Sequence, residues 1–309
     1  MAVLAPVLPE KSPAAVQRIT ALLQGFSVEA TRPTDADIAA LHGMPRGTRI
    51  YISAVPGRAA EEITDAAMRL RAAGFEPVPH VAVRNFQTTG ALDDFLARLN
   101  GEARVQRVLA IAGDQDAHGP FRGAIDAIDS GVFRRRGMRA VGIAGYPQGH
   151  PRISDGELMR ATSEKIAAAE ATGLTVEIVT QFCFDARAIL DYAAKLRAFG
   201  LEQQIRVGLA GPSNIGTLLR YASRCGVQAS AHALVRRTGL IRGAFSQAAP
   251  DEIVRTLADA GPKDVSAHFF SFGGLAATAR WTRPVANGNV SLDRPGGFSV
   301  APLPTKAIS

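Results

Sequence analysis

The sequence predicts an α/β protein of the (β/α)8 barrel (TIM barrel) class. Eight short apolar runs rich in β-branched residues recur along the chain, amphipathic helical stretches lie between them, and a glycine often separates a helix end from the next strand. At 309 residues, the chain suits one large barrel or two domains of about 150 residues each. An open doubly wound sheet is the other fold this alternation permits. That fold usually carries a Gly-x-Gly-x-x-Gly fingerprint after its first strand, and here the place is taken by Thr31-Arg32-Pro33.

The strand runs are 26–30, 49–53, 77–83, 107–113, 140–144, 176–182, 205–211 and 265–271. Most are near-continuously apolar, as strands buried on both faces of a parallel sheet must be. Six helices are expected between them. The first, 59–73, carries Ile63, Ala66, Ala67 and Leu70 at helical spacing and stops at Gly74. The second, 88–99, stops at Asn100-Gly101. The third, 154–172, opens on a Ser154-x-x-Glu157 capping box and stops at Gly173. The others are 185–199, opened by an Asp185 cap and closed by Gly200, 213–225, closed by Gly226, and 251–260, closed by Gly261. The domain reading is one barrel over 1–293 with an N-terminal lead-in helix. Residues 294–309, with three prolines and two glycines, read as a loose tail.

Composition excludes several classes. A hydrophobic fraction of 47% rules out wholesale disorder. No run of about 18 apolar residues lacks charges, so no membrane span is expected. The apolar start, 1–9, is cut off by Glu10-Lys11 and does not read as a signal peptide. Cys183 and Cys225 give no disulfide framework and read as reduced thiols of a cytoplasmic protein. The net charge of +7 and pI near 9.9 invite a nucleic-acid reading. The basic residues are spread out, however, and the densest run, Arg134-Arg135-Arg136, falls at a predicted helix end. A phosphate-bearing small molecule suits the excess, and no nucleic-acid partner is expected. His42, His80, His118, His150, His232 and His268 show no metal-ligand spacing, so no metal is expected. There is no Gly-x-Ser-x-Gly elbow for a serine hydrolase.

Barrel chemistry sits at the C-terminal ends of the strands, and polar residues collect there. They are Glu29, Ser53, His80, Gly113-Asp114, the stretch from Tyr146 to His150, Gln181 and Ser213-Asn214. Glu29, facing a desolvated mouth, is expected to have a raised pKa suited to a general acid. Each also has a plainer reading: Asp114 as a turn residue, Gln181 and His80 as satisfied core groups, Asp185 as a helix cap.

Four segments, in order, resemble the methylenetetrahydrofolate reductases, which are flavin-dependent (β/α)8 barrels. Phe26-Ser-Val-Glu29 resembles the family's first-strand segment with its catalytic Glu. Ala112-Gly113-Asp114 resembles a fourth-strand Arg-Gly-Asp. Ala144-Gly-Tyr146-Pro147-Gln-Gly-His150-Pro151 is similar to Ala-Tyr-Pro-Glu-x-His-Pro, and Thr180-Gln181-Phe182-Cys183-Phe184-Asp185 to Thr-Gln-Phe-Phe-Phe-Asp. The resemblance covers about residues 20 to 275. It departs at Ala112, which replaces the Arg, and in the loop from Gln115 to Pro120.

The resemblance implies hydride transfer from reduced FAD to 5,10-methylenetetrahydrofolate, giving 5-methyltetrahydrofolate, with NAD(P)H as electron donor. It implies that Glu29 is the general acid, that Asp114 lies between flavin and pterin, and that Gln181 bonds the pterin edge. Ser53, His80, Ala112, Gly113, Asp114, Tyr146, His150 and Lys165 are the implied flavin contacts, and 238–249 should hold a Phe that stacks on nicotinamide and folate. Two other functions compete: a folate-binding subunit of a complex without its own NAD(P)H oxidation, and a flavin-free pterin methyltransferase barrel.

Overall fold

The computed structural model describes residues 12–55, 57, 59–227 and 247–301. Its centre is a closed barrel of eight parallel strands. These are β1 (Ser27–Ala30), β2 (Arg49–Ile52), β3 (Glu76–Ala82), β4 (Arg107–Ile111), β5 (Ala140–Gly145), β6 (Thr175–Phe182), β7 (Gln204–Ala210) and β10 (Val265–Phe270). Two short pairs lie outside the barrel, β8 (Ser213–Asn214) with β9 (Gln247–Ala248), and β11 (Val290–Ser291) with β12 (Ser299–Val300). Each of the eight expected runs forms a barrel strand, with ends shifted by at most two residues.

The outer layer comprises α1 (Pro13–Leu22), α2 (Asp35–Ala40), α3 (Ala60–Ala72), α4 (Thr89–Ala103), α5 (Ala124–Asp129), α6 (Val132–Arg135), α7 (Asp155–Ala171), α8 (Ala186–Ala198), α9 (Ile215–Arg224), α10 (Asp251–Ala260) and α11 (Leu275–Ala286). The capping chemistry read from sequence is in place. Ser154 and Glu157 form a reciprocal box on α7, and Asp185 accepts from the Arg187 amide at 2.9 Å. Gly200 (φ 76°) and Gly261 (φ 57°) turn left-handed to end α8 and α10. Two expectations are corrected. The second helix does not stop at Asn100-Gly101. It continues to Ala103, because the left-handed turn falls on Arg104 (φ 51°) and the Asn100 amide bonds forward to the Val105 carbonyl. The helix expected from 213 starts at Ile215, because Ser213 and Asn214 pair with β9 and Asn214 caps the helix through the Thr217 amide.

The main apolar core lies between sheet and helices, with Ile50, Ile52, Leu70, Leu96, Val141, Ile178 and Phe269 almost wholly buried. Burying one such side chain contributes about 1.5–3 kcal/mol. α1 packs on α10 with Ala15 and Ile19 buried, and Arg18 pairs with Asp259 across that contact.

The described part of the stretch read as a loose tail, 294–301, is packed instead. Phe298 is fully buried with its ring 5.9 Å from that of Trp281, Arg294 pairs with Asp251, and Ser299–Val300 add a strand to β11. One buried aromatic and two strand residues override the Pro/Gly composition. Residues 302–309 lie outside the described part.

Alternate residues of each strand point into the barrel, and its interior carries a polar floor. The floor holds one carboxylate, Glu177, bonded by Arg206 (2.9 Å), Arg49 (2.6 Å) and the Tyr51 hydroxyl (2.7 Å), with Arg107 at 3.6 Å. A small apolar layer of Tyr51, Val78, Leu109 and Val179 covers it. Above that layer sits the mouth.

Candidate active site

Glu29, at the C-terminal end of β1, is the centre of the mouth. Its side chain is only 14% exposed. The Ser53 hydroxyl donates to Oε1 at 2.7 Å. His268 Nε2 lies 3.4 Å and His80 Nε2 3.5 Å from Oε2. The parallel strands impose this meeting, because β1 pairs with both β2 and β10 and Glu29 stands opposite Tyr51 and Phe270.

The expected raised pKa of Glu29 is not found. Burial pushes it up, and this is the largest single effect. The charge of His80, the hydrogen bond and charge of His268 and the hydrogen bond of Ser53 together outweigh it, so the carboxyl is held below its ordinary 4.5. His80 is itself pushed down, first by burial and then by the charge of His268, against the pull of Glu29. Its Nε2 is buried without a hydrogen-bond partner.

Gln181 sits where β6 and β7 slip register between Val179 and Phe182. At this bulge Gly208 passes so close to the neighbouring strand that a Cβ there would lie 2.5 Å from the Thr180 carbonyl oxygen. The Thr180 hydroxyl accepts from the Gly208 amide (2.8 Å), and Gln181 Oε1 accepts from the Phe182 amide (3.0 Å), which leaves the Gln181 side chain half-exposed at the rim.

On the opposite rim, Asp114 is exposed just after β4. Its charge reaches Tyr146, whose hydroxyl is pushed up first by burial and then by Asp114. The Tyr146 ring meets His150 edge-on at 5.3 Å, and the turn between them is closed by the Gly149 amide bonding to the Tyr146 carbonyl. His150 Nδ1 accepts from the Arg152 amide at 3.2 Å. The Ala112 carbonyl accepts from the Arg84 amide, and Gly113 (φ 91°) leads to Asp114 at a point where a Cβ would meet that of Ala82 at 3.0 Å. Lys165, on α7, is half-buried. No carboxylate among the described residues lies within ion-pair distance of it, and burial pushes its pKa down while neighbouring Glu164 pulls it up.

A cavity of about 420 Å³ opens beside Glu29. Its walls include Arg32, Cys225 and four aromatic rings, Phe182, Tyr221, Phe270 and Phe272. Tyr221 stacks on Phe272 at 4.2 Å, and Phe272 on Phe270 at 5.6 Å. A larger cavity, about 540 Å³, lies between α7 and α8 and reaches the rim at Tyr146, Pro147 and Gly149. Glu29 lines only the smaller of these two cavities, which makes the smaller one the candidate site.

The structure thus gathers Glu29, Ser53 and His80 at one point, with Asp114, Tyr146 and His150 across the rim. Sequence reading did not single out His268 or the floor residues Glu177 and Arg206. Their signal is an ionisable residue inside an apolar strand run, as in Ala267-His-Phe-Phe, Val176-Glu-Ile and Ile205-Arg-Val. Most of the 238–249 stretch, and His232, lie outside the described residues. No group of three or more His, Cys, Asp or Glu among the described residues is placed to hold a metal. No helix among them is long and apolar enough to cross a membrane.

A closed (β/α)8 barrel with ionisable groups gathered at the C-terminal ends of its strands is the architecture of a barrel enzyme. The model of the methylenetetrahydrofolate reductase family matches residues 40–240, more than half of the chain, and the chain belongs to that family. The match starts after β1 and ends before β10, so Glu29 and His268 lie outside it. Among solved structures, a conserved protein of unknown function from a locus in Enterococcus faecalis is similar at TM-score 0.45 and 12% identity. That likeness covers 86% of this chain, and this chain spans 66% of the length of the other.

Proposed function

We propose that the protein is a flavin-dependent oxidoreductase that interconverts 5,10-methylenetetrahydrofolate and 5-methyltetrahydrofolate in the cytoplasm, with NAD(P)H as electron donor. The observation that carries this reading is Glu29, a carboxyl clamped at the mouth of a family barrel beside an aromatic-walled cavity suited to a flat heterocycle.

The residues fit FAD. His80 offers a buried Nε2 that faces Glu29 at 3.5 Å but makes no hydrogen bond. The close approach at Gly113 leaves no room for a side chain where the backbone must reach the cofactor. Lys165 offers a half-buried cation with no carboxylate at ion-pair distance among the described residues, suited to a diphosphate. Tyr146 and His150 flank the same rim. When bound and reduced by NAD(P)H, the FAD would supply the hydride.

The chain's own groups do the rest. The aromatic wall orients the pterin and excludes water. Gln181 and Asp114 offer an amide and a carboxylate to its polar edge. Glu29 protonates the nitrogen that departs as the imidazolidine ring opens. In the ligand-free protein Glu29 is a carboxylate at neutral pH. Burial is the largest effect on it, so a substrate that covers the mouth and expels water drives its pKa upward, toward the protonated form the step needs.

The test is Glu29→Gln. This variant keeps bound FAD and loses folate reduction by about 10²–10⁴-fold, the usual worth of a general acid. A colourless wild-type protein that takes up no added FAD overturns the reading.

A further inference from the structure

A line of polar groups runs from the barrel floor to Glu29. Arg206, bonded to Glu177, donates from Nη1 to the Gly25 carbonyl (2.9 Å) and to Ser27 Oγ (3.4 Å). Ser27 Oγ lies 2.9 Å from His268 Nδ1, and His268 Nε2 lies 3.4 Å from Glu29 Oε2. Donor counting fixes the direction of these bonds. A guanidinium has no acceptor, so Ser27 oxygen accepts from Arg206; His268 Nε2 faces a carboxylate, which only accepts, and Nδ1 is the acceptor beside the Ser27 O–H. With Nδ1 an acceptor, a neutral His268 carries its proton on Nε2, the atom facing Glu29. The ring is fully buried and held edge-on by Tyr51 (4.7 Å) and Phe270 (5.0 Å), which removes its freedom to turn away.

We propose that His268 is the positioning residue for Glu29: Ser27, anchored by Arg206, fixes the imidazole tautomer so that Nε2–H is presented to Oε2 while Ser53 holds Oε1. This rests on the reading of Glu29 as the acid. Clamped at both oxygens, the carboxyl is aimed by the barrel rather than by the ligand. The other ionisable groups facing Glu29 are His80 from β3 and, further off, Cys225 at the end of α9. Around His268 stand Tyr51 from β2, His80 from β3 and Arg206 from β7 through Ser27.

The test is a carbon-detected NMR titration of glutamate side-chain carboxyls in the full-length protein, with the Glu29 signal assigned by its loss in Glu29→Gln. Removing a donor from a carboxylate raises its pKa. The Glu29 midpoint therefore rises by about one pH unit in His268→Leu and by less in Ser27→Ala. It rises by less in His268→Gln than in His268→Leu, since the amide keeps a donor at the Nε2 position and only the charge of the imidazole is lost. In folate turnover, His268→Leu lowers kcat by roughly tenfold with KM within about twofold, and His268→Gln restores kcat, since orientation rather than binding is lost. A Glu29 midpoint unmoved in both His268→Leu and Ser27→Ala overturns the proposal, whatever turnover does, and Ser27→Ala keeps the test decisive if the leucine variant fails to fold. A shifted midpoint in a protein whose wild type never turns over folate sustains the clamp and overturns the functional reading instead.

Discussion

Glu177 shows how far a single residue can depend on its surroundings. Burial pushes its carboxyl up, but the charges of Arg206, Arg49 and Arg107 and the Tyr51 hydroxyl bring it down to about 2. A group whose folded pKa is depressed adds stability that is fully present above its ordinary value of 4.5 and is lost as pH falls toward about 2. Glu177→Gln leaves three arginines around an uncharged partner, two of them partly exposed, and should cost about 3–5 kcal/mol at pH 7. Urea unfolding at pH 7 and pH 3 checks both points. The gap between wild type and variant should narrow at the lower pH, and an equal gap at both would contradict the assigned network. Glu29, Ser53 and His80 were legible in the sequence because they end or punctuate apolar runs at the rim where barrels do chemistry. His268, Glu177 and Arg206 were not, because each lies within a strand and its meaning depends on partners 29 to 241 residues away. The direction of the Glu29 shift was missed for the same reason. Burial can be foreseen from one strand, but two imidazoles from β3 and β10 cannot.

Element boundaries follow capping chemistry where it is local. Ser154 and Glu157 are three residues apart and announce α7 directly. Ser154→Ala should lower stability by about 0.5–2 kcal/mol, read as a shift in thermal midpoint. α4 shows the limit of local reading, since its end is set by Arg104 in the left-handed region, where a side chain costs about 1–2 kcal/mol. Arg104→Gly should therefore stabilise the protein by about 1 kcal/mol in chemical denaturation, and a loss would show that the Arg104 side chain outweighs the strain. The short helices α2, α5 and α6, of 4 to 6 residues, are too brief for a periodic signal. α11 was hidden by Gly273-Gly274 before it and Pro284 inside it, yet it buries Leu275, Ala279, Trp281 and Val285 against the barrel. Tertiary packing overrides propensity there.

At the scale of the whole molecule, eight apolar runs were enough to foresee the closed barrel. The described part of the C-terminal segment, 294–301, is packed because one buried aromatic outweighs Pro295, Gly296 and Gly297. Phe298→Ala should cost about 3–5 kcal/mol, as a buried aromatic does. A thermal midpoint equal to wild type would return 294–301 to the status of a loose tail. Glu29, outside the family match over 40–240, meets the matched part of the mouth because β1 pairs with β2, which brings Ser53 to its carboxyl. The most direct test of the central claim is the visible absorbance of the FAD-loaded protein under anaerobic titration. The account predicts that NADH or NADPH bleaches the flavin band and that methylenetetrahydrofolate then restores it, with 5-methyltetrahydrofolate as the product. A protein that takes up no flavin, or whose bleached band methylenetetrahydrofolate leaves unchanged, would contradict it.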